Sequence, residues 1–171
     1  MNYSTLLTAG AALLTAACAS TPLMVPDTLR PATSETLATT VGARGVQIYE
    51  CRARKDGGHE WAFVAPDADL LDAQGKPIGR HGAGPYWQSA DGSRVVGTVT
   101  ARADAPAPGA IPWLLLSTKS SGSAGAFSNV TSIQRVNTVG GVAPATPCTA
   151  QFAGTPARVP YTADYRLFTA R

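Results

Sequence analysis

From residue 46 onward the chain alternates between apolar and polar positions. In "VQIYECRA" (46–53), Val46 and Ile48 fall on one side of an extended backbone, Tyr49 and Cys51 on the other. That period of two is the signature of a half-buried strand. "EWAFVA" (60–65) repeats it, with Trp61, Phe63 and Ala65 in phase and Trp61 suited to a core face. "KDGGH" (55–59) lies between the two as a hairpin turn, because Asp-Gly reaches positive φ at little cost. "DADLLDAQGKPIG" (67–79) reads as a short strand, a turn at "AQGK" and a short return. "PYWQS" (85–89) and "RVVGTVTAR" (94–102) are strands flanking the turn "ADGS" (90–93), and Val95, Gly97, Val99 and Ala101 share a face of the second. After an extended Pro-rich connection (103–112), "WLLLSTKS" (113–120) is an apolar run that suits a strand buried on both sides. "SGSAGA" (121–126) is loop, "FSNVTSIQRVNTV" (127–139) a long, mostly polar strand, and "GGVAPATPC" (140–148) loop again. "YTADYRLFT" (161–169) closes the chain with Tyr161, Ala163, Tyr165 and Leu167 in phase.

Seven to nine short strands with turn signals between them predict an all-β fold, a single antiparallel sandwich or barrel with long Pro/Gly-rich loops. Composition agrees. Among 171 residues there are 17 Gly and 13 Pro, and the charged fraction is 15%, against about 25% in a typical soluble domain. There is no internal repeat and no second domain. The formal charge is only +3, and the basic residues stand singly except for "RARK" at 52–55, so no basic face for nucleic acid is expected.

The beginning of the chain has a different character. "LLTAGAALLTAACAS" (6–20) is apolar and ends in small residues, too short for a mature membrane span, and reads as a signal peptide. "LTAAC" (14–18) resembles the lipobox of bacterial lipoproteins, which would make Cys18 the lipidated N-terminus, although Thr15 stands where Leu is usual and no Lys or Arg precedes the apolar run. Ala19 follows the cysteine, the pattern usually sent on to the outer membrane; the alternative is ordinary cleavage after "ACA" (17–19). The expected organisation is a leader over 1–18, a polar Pro-bearing tether over 19–43 and one β domain over 44–171, with "SETLATTV" as a turn or two of helix capped by Ser34. Setting Cys18 aside leaves Cys51 and Cys148, an even pair that suggests a disulfide in an oxidising compartment. It would close a loop of nearly a hundred residues and contribute up to about 4.7 kcal/mol.

Chemistry is sparsely signposted. The stretch "IGRHGAGPYW" (78–87) holds His81, one of two histidines, among Gly79, Gly82 and Gly84. A metal site needs about three protein ligands, and His59 sits on a hairpin turn, so no metal is expected. The bland reading has His81 packed in a Gly-rich turn with one ring nitrogen bonded to a carbonyl. The glycines run G-x-x-G-x-G and lead into a strand, which is not the G-x-G-x-x-G that opens a nucleotide-binding helix; no cofactor is expected. "SGSAG" (121–125) lacks the first glycine of a serine-hydrolase elbow and reads as a loop tip. Glu50, Glu60, Asp67, Asp69, Asp72 and Asp91 could supply a carboxylate pair, but Asp91 in "ADGS" is the usual turn aspartate. Tyr86 and Trp87 point to opposite faces of one strand, so one ring could serve a ligand beside Arg80 and Arg94.

"GVQIYECR", "WAFVAPDADLLDAQGKPIGRHGAGPYWQSADGSRVVG", "GAIPWLLL" and "FSNVTSIQRVNTVGGVAPATPC" together resemble the domain of unknown function 3455 family of secreted bacterial and fungal proteins, over most of 45–169. The resemblance brings no established activity. Some fungal relatives carry a malate dehydrogenase label, but the dinucleotide loop that enzyme needs is missing here. His81, Gly84, Pro85, Trp87, Asp91 and Gly92 fall in the family's most recognisable stretch. The leading expectation is an exported, lipid-anchored, non-catalytic module. It would bind a small molecule, glycan or envelope component at Arg80, His81, Tyr86, Trp87, Asp91 and Arg94. The rivals are a hydrolase-type enzyme using His81 with a carboxylate such as Asp91, and a structural envelope protein without ligand.

Overall fold

A computed structural model of the protein describes residues 23–171. Eight strands follow one another in the order β1 (Glu35–Ala53), β2 (His59–Leu71), β3 (Pro77–Gly82), β4 (Tyr86–Ser89), β5 (Arg94–Ala103), β6 (Trp113–Ser120), β7 (Val130–Gly140) and β8 (Pro156–Ala170). Each pairs antiparallel with the next, and β8 pairs back onto β1, so the meander closes into a barrel. Closure leaves no free edge. With about eight strands the lumen is just wide enough to be filled by side chains or to hold one small ligand.

The alternation read from the sequence sets which residues point inward. Val41 and Ala43 of β1, Leu70 of β2, Val95 of β5, Leu116 of β6, Ile133 of β7 and Leu167 of β8 join one buried cluster. Strand β6 is covered on both sides only over 113–116; Ser117, Lys119 and Ser120 are exposed. Leu114 and Leu116 face the lumen cluster, whereas Trp113 and Leu115 pack outside it against Val25 and Leu29. At about 25 cal/mol per Å², covering such side chains on both faces is the main term favouring this strand's position.

Three local expectations need correction. Residues 23–43 do not form a tether. Asp27–Leu29 is a 3₁₀ turn that buries Leu29 on the outside of the barrel, where the Leu29 carbonyl accepts from Gln134 Nε2 at 2.5 Å. From Glu35 the chain is strand, paired with β8 from Glu35–Ala170 to Glu50–Pro156. The reason is compositional: Thr36, Thr39, Thr40 and Val41 are β-branched, favoured on a pleated surface and stiff in a helix. Ser34 therefore caps no helix. Second, 60–65 and 67–71 are one strand; a bulge at Ile48/Tyr49, with Val64 as the extra residue, shifts Trp61 and Phe63 out of phase with Ala65. Trp61 is only half-buried and donates from Nε1 to the Thr146 carbonyl at 2.8 Å. Third, a bulge between Val99 and Ala101 turns Ala101 to the outer cluster with Trp113. The leader, Cys18 and the start of the expected tether lie outside the described residues.

Cys51 and Cys148 form the expected disulfide, with Cα atoms 5.5 Å apart. It ties the end of β1 to the long 141–155 connection. That connection emerges at one end of the barrel with the β1–β2 (54–58), β3–β4 (83–85) and β5–β6 (104–112) loops. We call this the open end. The other three connections, 72–76, 90–93 and 121–129, emerge at the closed end.

Candidate functional site

Strands β3 and β4 form a tight hairpin in which His81 lies directly opposite Trp87. Both side chains point into the lumen, and both are buried. The imidazole stacks on the indole at 4.4 Å, and Tyr165 of β8 closes on the pair edge-on, 5.0 Å from His81 and 5.3 Å from Trp87. Room for the indole comes from Gly97 on β5: a Cβ there would lie 2.8 Å from Trp87 and 3.1 Å from Leu116. Gly84, at φ 132°, supplies the β3–β4 turn with a conformation that L side chains rarely adopt.

His81 Nδ1 lies 2.7 Å from the Tyr86 carbonyl oxygen. A carbonyl only accepts, so Nδ1 carries the proton and Nε2 is left as an acceptor. Burial pushes the His81 pKa down to about 3, aided by the charge of Arg135 and opposed by the Tyr86 carbonyl. The ring is therefore neutral at ordinary pH. The hydrogen bond foreseen for His81 is the one found, but on a strand facing the lumen.

These rings form the floor of a cleft of about 380 Å³ that opens at the open end. Its walls include Gln47, Pro66, Leu114, Leu116 and Arg135, and its rim includes Phe63 and Val99, which are 53% and 51% exposed. A second hollow of about 520 Å³ continues it beneath the β5–β6 loop and shares Gln47, Phe63, Val99, Leu114 and Arg135. Neither hollow is lined by an Asp or Glu. Arg135 donates from Nε and Nη2 to the Pro112 carbonyl at 3.0 and 2.7 Å, which fixes the guanidinium without neutralising it. Among the described residues no carboxylate forms an ion pair with it. Gln47 Nε2 and Trp87 Nε1 are buried with no hydrogen-bond partner among the described residues. The tyrosine hydroxyls nearby are engaged: Tyr49 donates to the Gly141 carbonyl at 2.7 Å, and Tyr161 and Tyr165 meet at 3.4 Å. Burial raises the pKa of all three tyrosines.

The six residues singled out from the 78–94 stretch divide. His81 and Trp87 line the cleft. Arg80 lies outside the barrel and pairs with Asp67 and Asp69, with Arg158 on the second oxygen of Asp67. Tyr86 points outward beneath the Arg94 guanidinium, 4.0 Å from its ring centre. Asp91 belongs to the closed end. It accepts from Ser93 N, Ser93 Oγ and Ala126 N at 2.9, 2.6 and 2.8 Å, which holds its carboxyl well below the usual range. The structure thus places Asp91 and His81 at different levels of the barrel and in different networks. Among the described residues no three His, Cys, Asp or Glu side chains gather to hold a metal.

Gln47 and Arg135 lie outside the 78–94 stretch, yet the sequence carries a signal for them. Each is a polar residue on the inward phase of its strand, in line with Val41 and Ala43 on β1 and with Ile133 on β7. A polar side chain in such a phase is costly to bury unless something pairs with it.

Neither the curated proteins nor the solved structures include a match to the chain. One family model matches residues 31–169, a span that starts at the segment leading into β1 and ends one residue before the last residue of β8. The whole barrel is therefore the unit of that family, and the chain belongs to the one described as "Protein of unknown function (DUF3455)".

Proposed function

We propose that this protein is an exported, lipid-anchored barrel that binds one small, largely apolar molecule in the open end of its lumen. The observation that carries the reading is the cleft itself. It reaches from solvent to a buried aromatic floor, exposes Phe63 and Val99 at its rim, and keeps two buried donors, Gln47 Nε2 and Trp87 Nε1, without partners among the described residues. Pockets of about 300–1,000 Å³, mostly apolar with a few convergent polar groups, are the usual form of small-molecule sites, and barrel mouths are a usual place for them. Side chains that served only to pack would have filled this space, since cavities in a core are destabilising.

The placement rests on the disulfide and the leader. A Cys51–Cys148 bridge persists in an oxidising compartment, and Cys18 stands where the lipobox pattern puts its lipidated residue. Detergent-phase partitioning of the native protein, compared with Cys18→Ala, tests the anchor: the wild type enters the detergent phase and the variant does not. Partitioning unchanged by the substitution would remove the lipid from the account.

Binding is tested with N-phenyl-1-naphthylamine, a neutral apolar fluorophore. It should bind saturably, one per chain, with enhanced emission, and Val99→Trp at the rim should weaken it severalfold. Absence of saturable binding, or binding indifferent to Val99→Trp, would overturn the reading.

A further inference from the structure

We infer that the molecule held in this cleft carries an oxyanion, such as a carboxylate on an apolar body, and that Arg135 and Gln47 receive it. The inference rests on the binding reading above and adds the charge and the orientation of the ligand. In the lumen the buried polar atoms left without a partner among the described residues are donors, Gln47 Nε2 and Trp87 Nε1, while the acceptor left over, His81 Nε2, is neutral. The Arg135 guanidinium has two of its nitrogens tied to the Pro112 carbonyl, a neutral acceptor, and its positive charge faces the cleft without a carboxylate. Gln47 is 2% exposed, lines both hollows, and its amide Nε2 is unpartnered. Trp87 Nε1 adds a second buried donor. No charged acceptor matches them: the Tyr49, Tyr161 and Tyr165 hydroxyls near Gln47 and Arg135 are neutral, and the two hollows have no acidic lining.

Burying donors without acceptors costs free energy, and half-burying a cation without a counter-charge adds to it. An incoming oxyanion relieves both at once, through charge-assisted hydrogen bonds to the guanidinium and the amide. An incoming amine would meet Arg135 and gain no acceptor charge. The polar end therefore sits against β1 and β7, where Gln47 and Arg135 lie. The apolar body leaves past Leu114, Phe63 and Val99 toward the rim.

Three probes with one ten-carbon chain separate the possibilities: decanoate, decanol and decylamine, titrated calorimetrically into the folded protein at neutral pH. Decanoate is expected to bind about tenfold tighter than decanol, and decylamine more weakly than either. Arg135→Met should bring decanoate down to the level of decanol and leave decanol unchanged. Because Arg135 also braces the β5–β6 loop, Gln47→Leu serves as a second variant and should cost decanoate severalfold while sparing decanol. Decanol binding as tightly as decanoate, or decanoate indifferent to both substitutions, would overturn the oxyanion inference and leave the cleft as a neutral apolar site. Failure of all three probes, together with failure of the neutral fluorophore, would overturn the binding reading and this inference with it.

Discussion

The two ends of the barrel use the same eight strands and fill them differently. At the closed end the inward positions are apolar and tightly occupied: Val95 and Ile133 are fully buried, and Phe127 packs with them from the β6–β7 loop. The polar groups there satisfy one another. Asp91 takes three hydrogen bonds from Ser93 and Ala126, and Ser93 Oγ in turn accepts from Phe127 N at 3.0 Å. At the open end the inward positions turn polar or aromatic, the space is not filled, Gln47 Nε2 has no partner among the described residues, and Arg135 has a carbonyl but no carboxylate. The contrast teaches that, within the lumen, the unmet hydrogen-bonding capacity lies at the open end; the other buried donors without partners among the described residues, Arg94 Nε and Trp113 Nε1, lie outside the lumen. A protein that only had to be stable could have continued the closed-end pattern through the lumen; here half the barrel provides stability and the other half leaves room.

That division of labour can be broken by substitution, and four outcomes follow in descending size. Ile133→Ala, at the closed end, should cost about 2–5 kcal/mol, read by urea denaturation, with fluorophore affinity kept in the folded fraction. Removing the disulfide by joint Cys51→Ser and Cys148→Ser should cost about 2–4 kcal/mol; because the bridge anchors the 141–155 connection, this change should also weaken binding, which Ile133→Ala does not. The third concerns acid. His81 has its folded pKa lowered to about 3 from an ordinary 6.5, so between those values the unfolded chain binds the extra proton. Stability is present above about pH 6.5 and lost as pH falls toward 3. From pH 7 to 4.5 the loss should be about 2–3 kcal/mol, followed by the melting temperature at each pH, and His81→Gln should flatten that slope. Asp91 acts in a lower window, where its depressed carboxyl takes up a proton. The smallest is Phe63→Ser at the rim, where a half-exposed ring and its edge-on contact with Tyr49 at 5.7 Å are lost. Stability should change by less than about 1 kcal/mol, yet neutral-probe affinity should fall severalfold.

Much of the closed end was legible in the sequence, because period-two apolar runs and Asp-Gly or Gly-rich turns report a strand and its buried face directly. The disulfide was legible from cysteine parity. The extent of β1 was not: residues 35–43 are polar on their outer face, and only long-range pairing with β8 reveals them as strand. Bulges were also invisible, and each changes which face a residue occupies, as at Val64 and Ala101. The open end was legible by half. His81 and Trp87 stood out by rarity and by their glycines. Arg80, Tyr86, Arg94 and Asp91 stood beside them in sequence but alternate outward or sit in a turn. Gln47 and Arg135 come from strands 88 residues apart in the chain and meet only because the meander closes.

The most direct test is a map of where a bound decanoate touches the protein, by amide and side-chain chemical shifts in the folded domain. The account predicts perturbations gathered at the open end, on Gln47, Val99, Leu114 and Arg135, with the Trp87 indole N–H among the largest. Perturbations centred on the outer face of Arg80, Tyr86 and Arg94, or on the closed-end network around Asp91, would contradict it.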